Sequence, residues 1–225
     1  MPTRLVFALL IALVGGLWFA GCSSDPGKDI KSENADTRLK AIRDLAARAT
    51  AEDVQKVAEA TRHEHMATAV EAASSLGRIR RPEAVQALRT AAAKDQRVEV
   101  RQMAVTSLGD QETPDAALAL RDVLRSDADP RVRGEAAASL GRMGNLDDVE
   151  FLVGILGTEQ DQTVQSRAVA AIERMLRIKF MYEPNAPAKE RQEALARVKA
   201  NAPDLAKQLK ALRASGGVRP VKEGK

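Results

Sequence analysis

Apolar positions recur along the chain in a register of 32 residues: Leu76-Gly77, Leu108-Gly109 and Leu140-Gly141 keep that spacing. The same register carries Ala72, Ala104, Ala136 and Ala168, then Ala73, Val105, Ala137 and Val169, with Ile172 where a fourth leucine falls. Spacings of three and four residues within each run predict helices with one buried face. A glycine directly after the last apolar residue suits the C′ position, where the backbone turns left-handed and a β-carbon is penalised, so each Leu-Gly is expected to end a helix. A second run follows each of them: Val85, Leu88, Ala91 and Ala92; Ala117, Leu120, Val123 and Leu124; Val149, Leu152, Ile155 and Leu156. These open on Pro82-Glu83, Pro114-Asp115 and Leu146-Asp147. Proline in the first turn loses no hydrogen bond, and the acid faces the positive end of the helix dipole. Asp129-Pro130 opens a first helix in the same way.

The register predicts helix pairs over 66–93, 98–125 and 130–156. Both ends depart from it. Residues 29–61 hold a degenerate pair one residue out of phase, with Thr50 and Asp53 as a capping pattern for its second helix. A fifth first helix, from Val164 to about Arg177, has no glycine after Ile172. Phe180-Met181-Tyr182-Glu183-Pro184 then breaks the register, and Phe180 and Tyr182 are expected to plug the last open face. A capping helix is expected from Ala188 to about Asn201, a separate short one from Pro203 to about Ala214, and disorder in the last residues. Two antiparallel helices cannot bury their apolar faces alone, so such pairs stack into one continuous core.

Val100-Arg101-Gln102-Met103-Ala104 and Val132-Arg133-Gly134-Glu135-Ala136 share a Val-Arg-x-x-Ala pattern, from which Val164-Gln165-Ser166-Arg167-Ala168 departs by glutamine for arginine. In these residues the chain resembles HEAT-like repeats of the short, phycobilisome-lyase type, over roughly residues 35–177. The resemblance implies an all-α fold, a right-handed α-solenoid of HEAT-like helix pairs with atypical terminal caps. It says little of activity, because such arrays serve many functions. Arg101 and Arg133 are expected to bridge neighbouring repeats through Asp95, Asp127 or Asp129.

The N-terminus changes the picture of where this array works. Met-Pro-Thr-Arg precedes an uncharged run from Leu5 to Gly21, the pattern of an export signal. Phe19-Ala20-Gly21-Cys22 resembles the lipobox of bacterial lipoproteins, which implies cleavage before Cys22 and acylation of that residue. Two or more acyl chains give stable anchoring. A transmembrane anchor and an ordinary secretory signal are the alternatives for the same run. Cys22 is the sole cysteine, so no internal disulfide forms. Ser23 after it, instead of aspartate, implies by the same resemblance the outer membrane or periplasmic face of the cell envelope over the cytoplasmic membrane. The chain thus divides into a signal peptide (1–21), a lipidated tether (22–28), a repeat array (29–202) and a short helix with a basic tail (203–225).

Composition narrows the chemistry. Aromatics are 3% of the chain, and beyond the leader they are Phe151, Phe180 and Tyr182, so the core is built from small aliphatic side chains. That also speaks against a tetrapyrrole pocket. The net charge of +4 matches what residues 201–225 alone carry, six cations against two anions, so the array is neutral and nucleic acid is not an expected partner. His63-Glu64-His65 has metal-ligand residue types, but on a helix the two imidazoles would point apart, and no metal, cofactor, small-molecule substrate or catalytic residue is expected. Exposed positions on the second helices, Gln86, Arg89, Arg121, Asp122, Glu150 and Phe151, are the candidates for binding another cell-envelope protein. The sequence therefore predicts a lipid-anchored, non-catalytic scaffold with a concave protein-binding face. A spacer gripping the cell wall through the basic tail, or an adaptor subunit of an envelope enzyme complex, are the other readings.

Overall fold

A computed structural model describes residues 25–215, so the segment expected to be a signal peptide, Cys22 and the last ten residues lie outside the described part. Its described residues form helices joined by short turns. After a short α1 (Pro26–Asp29), they pair as α2 (Ala35–Arg48) with α3 (Ala51–Ala60), α4 (Met66–Gly77) with α5 (Pro82–Lys94), α6 (Val98–Gln111) with α7 (Pro114–Ser126), α8 (Pro130–Met143) with α9 (Asp148–Thr158), and α10 (Gln162–Leu176) with α11 (Ala188–Ala214). The first helices α2, α4, α6, α8 and α10 form one layer and the second helices the other. This is an α-solenoid. Its single core holds the leucines of the register, Leu76, Leu108 and Leu140, all without exposed surface.

The helix starts follow local chemistry. Thr50 accepts from the Asp53 backbone N–H and the Asp53 carboxylate accepts from that of Thr50, a capping box. Asp129 caps α8 and Asp161 caps α10 through their carboxylates, and Pro82, Pro114 and Pro130 stand in first turns. The chain enters the fold earlier than expected. Asp25 caps α1 and Ile30 is buried, so helix begins inside the segment assigned to the tether.

The Leu-Gly pairs do a different job from the expected one. α4 does end at Gly77, though without a left-handed turn, whereas α6 runs two residues past Gly109 and α8 two past Gly141, and the left-handed turn falls on Ala49, Glu112, Gly144 and Arg177. Gly77, Gly109 and Gly141 are helical and sit where consecutive first helices touch. A β-carbon on Gly77 would lie 2.8 Å from Cβ of Ser107, one on Gly109 2.8 Å from Cβ of Ser139, and one on Gly141 2.7 Å from Cβ of Ala171. Each glycine thus receives a small residue of the next repeat. Glu173 holds the equivalent position in α10, where no further first helix follows. Its carboxylate instead accepts from the backbone N–H of Phe180 (2.7 Å) and from Lys179 (2.8 Å), which ties the buried Phe180 over the end of the stack.

Arginines fasten the inter-repeat loops. Arg101 donates to the carbonyls of Asp95 and Gln96 behind it and, through Nε and Nη2, to the Asp127 carboxylate ahead at 2.7 and 3.0 Å. Arg133 repeats this with the carbonyls of Asp127 and Ala128 and the Glu159 carboxylate. Asp127 takes the expected part, whereas Asp95 gives Arg101 only its carbonyl and pairs through its carboxylate with Arg97, Asp129 pairs with Arg131, and Glu159 joins instead. Gln165 keeps the carbonyl bond alone, to Glu159 at 2.8 Å. The second repeat has Ala69 where the arginine belongs. Arg97 fills the gap from the following turn, reaching the carbonyls of Thr61 and His63 and the Asp95 carboxylate. Burial would raise the pKa of Asp95, but its hydrogen bonds from Arg97 outweigh that and hold it below the ordinary value.

α11 is one helix where two were expected. Pro203 sits inside it, and Leu195, Val198, Ala202 and Ala206 are buried on both sides of that residue. Proline interrupts a helix by removing one hydrogen bond and crowding the preceding turn; here burial of a continuous face against α9 and α10 carries the helix through.

Candidate functional site: the wall of second helices

α3, α5, α7 and α9 present their outward side chains on one wall of the solenoid, set there because their Val, Leu and Ala positions are consumed by the core. Gaps between these helices open as clefts. One, of about 910 Å³, lies between α3 and α5, floored by Val54, Ala58, Ala87 and Ala91. Another, of about 400 Å³, lies between α5 and α7 and is lined by Arg89, Ala92, Ala119, Asp122 and Ser126.

The candidate residues fall into separate places along this wall. Gln86 is exposed and lines the first cleft. Arg89 and Asp122 meet across the second in an exposed ion pair at 3.7 Å. Arg121 is committed to the interior: its Nε donates to the buried Asp148 carboxylate at 2.5 Å, and its guanidinium lies 5.7 Å from the centre of the Phe151 ring. Arg125 covers the same half-buried ring at 5.3 Å. Glu150 is exposed on α9. The structure therefore brings Arg89 to Asp122 and Arg121 to Phe151, and leaves Gln86 and Glu150 at opposite ends.

Sequence reasoning passed over three groups here. Asp148 opens α9 fully buried, and one of its oxygens has no hydrogen-bond partner among the described residues. Burial raises its pKa, against the pull of Arg121. Asp147-Asp148 at a helix start was visible, but not that the second acid turns inward. Arg62 and Lys94, at the carbonyl ends of α3 and α5, line one mouth of the larger cleft. Their place after the last apolar residue of each second helix was the available signal.

His63 and His65 do not lie on a helix. They occupy the turn before α4, where the His65 backbone N–H donates to Nδ1 of His63 at 3.1 Å and the rings stack at 5.2 Å. Burial first, then the neighbouring cations, lowers the His63 pKa. Among the described residues no group of three or more His, Cys, Asp and Glu converges as a metal site.

HEAT repeats match residues 28–99 and 90–173 of this sequence. No curated protein sequence matches it. Among solved structures, the complex of CpcE and CpcF of phycocyanin lyase from Nostoc sp. PCC7120 is similar, at a TM-score of 0.50 and 19% identity, covering 68% of this chain and 64% of that one. A designed armadillo repeat protein aligns at a TM-score of 0.44 and 17% identity over 81% of this chain and 97% of that one. At 19% identity the likeness to the lyase complex is one of fold.

Proposed function

Since the chain belongs to the HEAT-repeat family, we propose that it is a non-catalytic scaffold which binds another cell-envelope protein along its wall of second helices and is held at the membrane by an acylated Cys22. The observation that carries this reading is the pair of clefts on one wall, about 910 and 400 Å³, between successive second helices. Open gaps with small-residue floors and exposed polar rims are what a protein ligand fills. The anchor rests on the sequence alone, on the uncharged run from Leu5 and on Ala20-Gly21 before Cys22. The outer membrane or the periplasmic face is its expected address.

The spacer reading depends on the basic tail, and one of that tail's cations, Lys210, is engaged by Asp147. One experiment separates the two. A photo-crosslinking residue is placed at Gln86, at Glu150 and, on the other layer, at Arg43, in the native host, and the mature chain is weighed intact. The scaffold predicts a chain starting at acylated Cys22 and one recurrent crosslinked envelope protein from Gln86 and Glu150 only. Arg89→Glu should weaken that crosslink, while removal of residues 216–225 should not. Loss of envelope association on tail removal, with Arg89→Glu silent, would establish the spacer instead. Arg121→Glu is unsuitable, because it would set a second carboxylate against the buried Asp148.

A further inference from the structure

We infer that the cleft between α3 and α5 receives a short amphipathic helix of the partner, its first turn acidic, lying antiparallel to α3 and α5; this deepens the scaffold reading and rests on it. The cleft is polarised along its length. α3 and α5 run in the same direction, so their carbonyl ends, which carry negative partial charge, share one mouth. Arg62 and Lys94 stand at that mouth, both exposed and, among the described residues, neither in an ion pair. The other charges lining the cleft are Glu59, Glu83, Asp95 and Arg97. Asp95 and Arg97 are spent on each other, and Glu83, at the far end, pairs with Arg81. Glu59, in the last turn of α3 and so near the same mouth, is exposed and accepts from Gln55, which leaves two cations against one acid there. Among the described residues, the unpaired cations lining the cleft thus sit at the carbonyl end.

An incoming helix answers both features in one orientation. Its N-terminal N–H groups meet the carbonyl ends of α3 and α5, and acids in its first turn meet Arg62 and Lys94. The floor of Ala58, Ala87 and Ala91 with Val54 lets a helix approach closely and offers apolar contact to residues at i, i+3, i+4 and i+7. An extended strand fits poorly, because the backbone of α3 and α5 is hydrogen-bonded internally and would leave the strand's own amides unpaired. α3 and α5 span about 15 and about 20 Å at 1.5 Å per residue, which sets the partner helix at about 10–13 residues. The chain's own tail is a poor occupant, since Arg219, Lys222 and Lys225 would face Arg62 and Lys94.

The test selects single-helix peptides from a displayed library against the full chain in detergent micelles, then measures the enriched peptides by fluorescence anisotropy. Enriched peptides should carry acids in the first turn and an apolar stripe. Arg62→Glu with Lys94→Glu should weaken them at least tenfold and restore binding to charge-reversed twins. These are exposed, unpaired side chains, so folding is not at stake. No enrichment, no charge preference, indifference to the double reversal, capture of anionic vesicles in place of peptide, or a self-association abolished by the reversal would each overturn the inference. If the crosslinks from Gln86 and Glu150 persist in the double variant, the helix mode fails and the scaffold stands. If they are absent from the wild-type chain, the scaffold itself fails.

Discussion

The two layers of this solenoid use the same residue type for opposite ends. In the layer of first helices, Gly109 and Gly141 lie where a β-carbon would come within 2.8 Å of a neighbouring side chain. In the layer of second helices, Gly154 and Gly157 on α9 have nothing within 4 Å. One layer is pressed together and clamped by arginines; the other stands apart and leaves clefts. Rigid packing on one side and space on the other is how a solenoid built of small side chains keeps its shape while offering a surface.

The contrast is tested most severely by Gly141→Ala. The new β-carbon would meet both Cβ and Cα of Ala171, at 2.7 and 2.8 Å, and backbone cannot swing aside. Overpacking of this kind should lower stability by about 2–3 kcal/mol in urea denaturation. An unchanged midpoint would mean the first layer is not close-packed.

Next comes Arg133→Ala, which leaves the Glu159 carboxylate, itself 9% exposed, without its guanidinium partner and with only the backbone N–H groups of Gln160 and Asp161, and frees two loop carbonyls. About 2 kcal/mol is expected, because the group left behind is largely out of water. Acid should reproduce part of this loss. Burial raises the Glu159 pKa, but hydrogen bonds from Arg133 and backbone N–H groups outweigh it and lower it below the ordinary value. A depressed carboxylate contributes stability that is present above its unfolded pKa near ~4 and is lost as pH falls through the folded one. Stability followed from pH 7 towards pH 3 should therefore fall less steeply in Glu159→Gln, and equal slopes would remove the clamp from the account. Asp148 acts in the opposite sense: its raised pKa means that acid relieves, not adds, strain at α9.

Smaller effects belong to the open layer. Gly154→Ala should stabilise by about 0.5–1 kcal/mol, since an exposed helical glycine gives up only its backbone freedom. The sign reversal against Gly141→Ala is the sharpest form of the comparison. Arg89→Ala, which removes an exposed pair at 3.7 Å, should shift stability by no more than about 0.5 kcal/mol.

The helix pairs, their starts at Pro82, Pro114 and Pro130, the capping box at Thr50 and the atypical ends were legible in the residues, because periodicity and caps are settled within one turn of the chain. So was the bridging role of Arg101 and Arg133. What the glycines of the register do was not legible, since Ser107, Ser139 and Ala171 are 30 residues away from the glycines they touch. Nor was the stacking of His63 on His65, which follows from a turn where a helix was assumed. Arg97 standing in for an arginine missing at Ala69, α11 passing through Pro203, and the cleft between α3 and α5 are decisions of the same kind. The sequence by itself determined which segments are helical and which face of each is buried. Only the tertiary structure decided which of those helices touch and which stand apart, because close approach depends on atoms a whole repeat away, and that difference is what makes one layer a close-packed frame and the other a wall with clefts.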